Sequence, residues 1–233
     1  MPGNEVLWFV LMIVSFIGIT LVYRLFGRTG LYVWMAMAII LANIQVAKMI
    51  EFFGLLTAMG NIIYGSTFLA TDILAEKYGR RQARKGVFVG FFVLVAVTVI
   101  MQITLVFTPA PEDTLDPALQ QIFGFMPDVT IASLTAYLIS QLHDVWAFHF
   151  WKHKTQGRFL WLRNNASTMV SQLIDNATFT LLFFVVFNPQ IFAEIGWSGT
   201  WEIFITSYIM KLIVAIFDTP FIYLATRIKI EDD

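Results

Sequence analysis

Long apolar runs separated by short charged segments set the architecture of this chain. Residues 6–23, 29–47, 52–71 and 86–111 carry no charge. Three later runs, 129–151, 164–193 and 203–226, are equally apolar but contain Asp144, Asp175, and the pair Lys211 and Asp218 in turn. A helix needs about 20 mainly apolar residues to cross a bilayer. The pattern therefore predicts an all-α, polytopic membrane helix bundle with seven transmembrane helices, the last three holding charge inside them. Between the fourth and fifth, Thr108 to Asp128 carries four prolines and no Lys or Arg, and is expected to be extended or partly helical.

Basic residues test this count independently, because cytoplasmic loops collect Lys and Arg. Arg24 and Arg28 follow the first run; Lys77, Arg80, Arg81, Arg84 and Lys85 follow the third. Lys152, Lys154, Arg158 and Arg163 follow the fifth, and Arg227 and Lys229 the seventh. Thirteen of the fifteen basic residues thus fall on one side, with Lys48 and Lys211 inside or at the edge of a run. An N-terminus outside and a C-terminus in the cytoplasm satisfies every loop. Met1-Pro2-Gly3-Asn4-Glu5 lacks the basic leader of a cleaved signal peptide, so the first helix is expected to stay. Tyr23, Tyr78, Trp151, Trp161, Trp197 and Trp201 sit near predicted ends, where amphipathic rings favour the interface.

Composition narrows the function classes. The 233 residues are 58% hydrophobic and only 13% charged, too apolar for one soluble domain. A net charge of −1 offers no basic field for nucleic acid, and the absence of cysteine excludes thiolate metal sites and thiol catalysis. No Gly-rich phosphate loop, zinc-protease helix or nucleophile elbow occurs, and no glycine-containing motif accompanies the aspartates as an intramembrane protease would need. The expectation is a non-enzyme, without cofactor, whose partners are the lipid bilayer and a small molecule.

Polar residues inside the apolar runs carry the chemistry. Ser140-Gln141-Leu142-His143-Asp144 is echoed by Ser171-Gln172-Leu173-Ile174-Asp175. Ala132, Ala136 and Ser140 lead to Asp144 at four-residue spacing, as Ser167 and Ser171 lead to Asp175, so each helix has a narrow small-residue face ending in a carboxylate. An ionised Asp near mid-bilayer costs several kcal/mol unless it meets a partner or water. Gln and Asp three apart share a helical face, so each repeat presents one amide with one acid. Asp72 follows directly on the third charge-free run. Glu76, one turn on, is expected to pair with Arg80, Arg81 or Arg84, and Lys211 with one of the internal acids. Asn43 reads first as an interhelical hydrogen bond. Asp218, before Thr219 and Pro220, reads as a kink. His149 and His153 have metal-pair spacing but lie among interfacial residues.

Phe68-Leu69-Ala70-Thr71-Asp72 with Glu76, Tyr78 and Gly79 begins an ordered set of motifs. It continues through Ala132-Ser133, Ala136-Tyr137, Gln141 and Asp144, then Ala166-Ser167-Thr168, Asp175 and Phe179, and ends with Tyr208 and Lys211. On these motifs, spread over residues 31–227, the chain resembles the queuosine precursor transporters, also grouped as vitamin uptake transporters and similar to the substrate-binding membrane subunits of energy-coupling-factor systems. The resemblance implies a six-helix transporter core at 31–233 preceded by a further N-terminal transmembrane helix at 1–30. It also implies import of a 7-deazaguanine, such as the 7-cyano or aminomethyl form or queuine, across the cytoplasmic (inner) membrane.

A deazaguanine presents an N1–H and a 2-amino group as donors beside a carbonyl acceptor. A carboxylate accepts from both donors while a primary amide donates to the carbonyl. The expected substrate-binding set is therefore Asp72, Gln141, Asp144, Gln172, Asp175 and Lys211, with Asn43 as a further member and a Phe or Trp stacking on the rings. The alternative is the substrate-binding membrane subunit of an ATPase-driven vitamin uptake system, docking through the basic loop from Lys77 to Lys85. Residue patterns leave open a homo-oligomer or a coupling ATPase.

Overall fold

A computed structural model describes residues 3–124 and 126–230; Met1, Pro2 and the last three residues of the expected core lie outside them. The elements are α1 (Asn4–Gln45), β1 (Met49–Phe52), β2 (Leu55–Ala58), α2 (Asn61–Tyr78), α3 (Arg80–Val106), α4 (Asp116–Phe123), α5 (Met126–Lys154), α6 (Leu160–Thr180), a π-helical segment Leu181–Phe187, α7 (Pro189–Phe217) and α8 (Thr219–Arg227). Among the described residues, four helical stretches are long and apolar enough to cross a membrane by length and composition: Asn4–Gln45, Arg80–Val106, Leu160–Phe187 and Pro189–Arg227. The protein is thus an all-α, multi-pass membrane protein with one small hairpin.

Gly27 breaks α1 at φ 55°, ψ −140°, a conformation that only glycine adopts without strain. Beyond it the helix folds back on itself. A Cβ on Gly18 would lie 2.8 Å from the Trp34 ring, and one on Gly30 would lie 2.5 Å from the Val22 carbonyl oxygen. The two halves contain the predicted run 6–23 and, up to Gln45, the predicted run 29–47, whose last two residues lie in the turn that follows. Trp8, Met12, Phe16, Ile19 and Tyr23 are buried at three- to four-residue spacing, whereas Val6, Val10, Val14, Ile17 and Leu21 are exposed. Such an exposed apolar face requires lipid rather than water.

The predicted helix over 52–71 is corrected at its start. Residues 49–58 form an antiparallel hairpin with Phe52 opposite Leu55, and α2 begins only at Asn61. Phe53 and Gly54 have φ of 50° and 77°, the paired positive values of a tight hairpin turn. Hydropathy alone cannot distinguish a short apolar strand from a helix. The Asn4 amide donates to the Glu51 carbonyl at 2.8 Å and the Phe53 N–H donates to the Glu5 carboxylate at 3.1 Å. These bonds, with Trp8 against Phe52, fix the hairpin to the start of α1.

Side-chain pairings define how the later helices run. Thr71 of α2 meets Gln141 of α5, and Glu76 meets Lys152, so these two helices are parallel although about 70 residues separate them in sequence. α6 runs antiparallel to α5, with Ser140 against Asp175 and His143 against Ser171. α7 and α8 run back along α6, through Asn176 to Phe204, Asn165 to Thr219 and Trp161 to Tyr223. At Gly65 a Cβ would sit 2.5 Å from Val214 Cγ1, which is how closely α2 and α7 approach.

Candidate functional site

Where α2, α5, α6 and α7 meet, their inward faces are polar rather than apolar. Asp72, Ser140, Gln141, Asp144, Ser167, Ser171, Gln172, Asp175 and Lys211 are all buried. The helical periods of the four strips make a column of polar groups running lengthwise through the bundle.

Near the Asn61 end of α2 the column holds a satisfied ion pair. Lys211 Nζ lies 2.6 Å from Asp175 Oδ2 and 3.3 Å from the Asn176 side-chain oxygen, over the Tyr64 ring. The Tyr64 hydroxyl and the Ser140 hydroxyl both donate to the other oxygen of Asp175. Lys211 therefore pairs with an internal acid, as expected from its position. A buried pair of this kind holds only because its remaining lone pairs are occupied as well.

One turn along, Gln141 is also satisfied. Its amide nitrogen donates to Thr67 at 2.7 Å and its oxygen accepts from Thr71 at 3.0 Å. The next level is different. Asp72 and Asp144 face each other from α2 and α5, with Ser167, Thr168 and Ser171 of α6 around them. Thr168 donates to one Asp72 oxygen at 3.3 Å. Among the described residues, no well-directed hydrogen bond reaches either Asp144 oxygen, whose polar neighbours are Asp72 and the hydroxyls of Ser167, Thr168 and Ser171, nor the second Asp72 oxygen or either polar atom of the Gln172 amide. A buried polar group left unpaired costs about 1–3 kcal/mol, and more when charged.

Toward the Tyr78 end, Asn164 donates to Asp218 at 2.7 Å, and Glu76 sits between Lys152 at 2.9 Å and Arg163 at 2.6 Å. Two expectations are corrected here. Glu76 pairs across helices rather than with Arg80, Arg81 or Arg84, because Gly79 (φ 83°, ψ 173°) ends α2 and removes the one-turn geometry. Arg163 is no loop residue: it is buried, donates to the Gly157 carbonyl at 2.7 Å and lies over the Phe148 ring. Asp218 does mark the break between α7 and α8, yet its carboxylate is buried within the column as well.

The column brings together Asp72, Gln141, Asp144, Asp175 and Lys211, and Gln172 is buried on the same inward strip of α6. Asn43 stands apart. It donates to Ile39 of its own helix at 2.9 Å and accepts from Ser133 at 3.0 Å, the interhelical bond expected of a lone amide. His149 bonds the Val145 carbonyl one turn back. Tyr64, Thr67 and Asn176 were invisible to sequence reasoning, since hydroxyls and amides are common in membrane helices and only their neighbours reveal a role.

Comparison with known proteins places this geometry in a lineage. A family described as "Putative vitamin uptake transporter" matches residues 58–225, from the end of β2 into α8 and so across the whole column. A Bacillus subtilis protein named "Probable queuosine precursor transporter" is 40% identical over 232 residues, 99% of this chain and 98% of its own length. That likeness includes α1, both halves of which precede the family match. A Haemophilus influenzae protein of the same name is 26% identical over 157 residues, 67% of this chain and 63% of its own. No solved structure matches the chain. By the family match and by near full-length identity to the Bacillus protein, this chain belongs to the vitamin uptake transporter family, a membrane transporter and not an enzyme.

Proposed function

We propose that the protein imports queuosine precursors, 7-deazaguanines such as 7-cyano-7-deazaguanine, the aminomethyl form or queuine, across the cytoplasmic (inner) membrane. The observation that carries this reading is the buried carboxylate of Asp144, set among Asp72 and the hydroxyls of Ser167, Thr168 and Ser171 without a well-directed hydrogen bond, together with the unpartnered amide of Gln172. A carboxylate takes the N1–H and 2-amino edge of a guanine-like base, and an amide supplies both a donor and an acceptor for its remaining polar atoms. Bases lacking that pattern would leave these groups unpaired and be rejected. Asp72, Gln141, Asp175 and Lys211 line the same path, with Asn43 bracing α1 against α5. The names of the two relatives support the substrate class.

Seven crossings, with the N-terminus outside and the C-terminus in the cytoplasm, fit the fold. The halves of α1 give two crossings; α2, α3 and α5 give one each; α6 with its π-helical extension and α7 with α8 give the last two. A second reading, implied by the likeness to energy-coupling-factor subunits, is a substrate-binding subunit of an ATPase-driven vitamin uptake system; the family description supports only the vitamin uptake in it. Expression in a cell that can neither make nor import the precursor, fed each deazaguanine at nanomolar levels, separates the two. Queuosine appearing in tRNA without added partners is the expected result, and Asp144→Asn is expected to abolish it while the protein remains inserted. Failure with every precursor despite verified membrane expression would move the vitamin-binding subunit to first place.

A further inference from the structure

Two grooves lie outside the polar column, on either side of Arg80. One has a cavity volume of about 840 Å³ and runs between the start of α3 and the end of α5; its lining includes Arg80, Trp146, His149, Phe150, His153 and Lys154. The other, also about 840 Å³, follows α3 past Arg81, Arg84 and Lys85 to Phe88. No acidic side chain lines either groove. Among the described residues, Lys152 has a carboxylate within ion-pair distance, on Glu76, whereas no such pair is found for Arg80 or Lys154. Lys154 instead lies over the Phe150 ring, which stacks on Trp146 at 5.6 Å and 22°. Both rings are exposed, at 48% for Trp146 and 42% for Phe150.

We infer that the groove between α3 and α5 binds an anionic phospholipid. Its chemistry is graded along α5: cations at the Lys154 end, and one turn deeper a flat apolar wall suited to acyl chain. A phosphate needs the first and a lipid tail the second, and only a lipid supplies both. Charge complementarity selects an anionic headgroup over a zwitterionic one, since uncompensated basic side chains at a membrane surface are each attracted to anionic lipid. Aromatic rings at this depth hold the glycerol region. The site is separate from substrate recognition and does not depend on which solute is carried.

The test is titration of the purified full-length protein in detergent with phosphatidylglycerol or phosphatidylcholine of the same acyl chains, followed by native mass spectrometry. Phosphatidylglycerol is expected to bind at least tenfold more tightly. Arg80→Gln with Lys154→Gln should weaken phosphatidylglycerol roughly thirtyfold and leave phosphatidylcholine unchanged, given two lost charges. Lys154→Gln alone, at an exposed position, should weaken it roughly fivefold, and serves if the double variant does not fold. Trp146→Ala should weaken both lipids alike. Equal affinity for the two lipids, or charge variants that bind like wild type, would overturn the inference. Inorganic phosphate is expected not to displace the lipid; displacement at millimolar phosphate would reassign the groove to a free anion.

Discussion

Replacing Lys211 by methionine removes the ammonium that lies 2.6 Å from Asp175 while keeping most of the stem that packs there. The side chains of the pair are 8% and 4% exposed, so the remaining carboxylate stays in a medium that solvates it poorly. Removing one partner of a buried pair costs about 3–5 kcal/mol. The Tyr64 and Ser140 hydroxyls still donate to Asp175, which places the expectation at the lower end, about 3 kcal/mol. For a chain of this size that is a fall in melting temperature of roughly 6–12 °C. Adding Asp175→Asn removes the stranded charge, so the double variant should recover much of the loss and give a coupling energy of about 2 kcal/mol. Tryptophan fluorescence during thermal unfolding in detergent measures all four corners of the cycle. A Lys211→Met variant that melts within about 1 °C of wild type, or two single effects that simply add, would refute the assignment of this pair as a mutually dependent buried ion pair.

Three other substitutions probe separate parts of the bundle. Gly65→Ala drives a methyl into Val214 between α2 and α7 and should cost about 1–3 kcal/mol, read by the same unfolding assay. Gly27→Ala forces an L side chain into φ 55°, ψ −140° and should cost a similar amount in that assay. Glu76→Gln leaves Arg163 buried without its carboxylate and should lower stability by about 3 kcal/mol, and the added variant Arg163→Met should restore part of it.

Much of the bundle was legible because its signal is long. Runs of about twenty apolar residues and one-sided basic loops survive any local irregularity, and α3 and α5 fall where those patterns put them. Shorter features were not legible. Met49 to Ala58 reads as apolar in either period, and its hairpin is set by two positive-φ residues, one of them a phenylalanine. In the site, Asp72, Asp144, Asp175 and Lys211 announced themselves because charge in lipid needs a reason. Their pairing did not. The in-helix Gln–Asp repeat suggested two equivalent amide–acid units, but packing satisfies Gln141 and Asp175 and leaves Asp144 and Gln172 open, across the repeat rather than within it. Glu76 was misassigned for the same reason: sequence spacing describes neighbours along a helix, and Gly79 ends that helix.

The parallel pairing of α2 with α5 bears on how the chain is made. During synthesis α2 leaves the ribosome well before α5 and α6, so the groups that accompany Asp72 in the finished bundle, Asp144 and Thr168, do not yet exist when α2 must settle. With that carboxyl group and Thr67, Thr71 and Glu76 on its faces, α2 falls outside the stretches apolar enough to cross by composition alone. Its neighbours at that moment are the two halves of α1, whose Trp34 indole donates to Ser66 at 2.9 Å. The first half of α1, which supplies none of the column residues named above, sets Tyr23 edge-on to Tyr78 at 6.4 Å and the second half brings Trp34, so α1 is the packing partner α2 has before the rest of the chain is made.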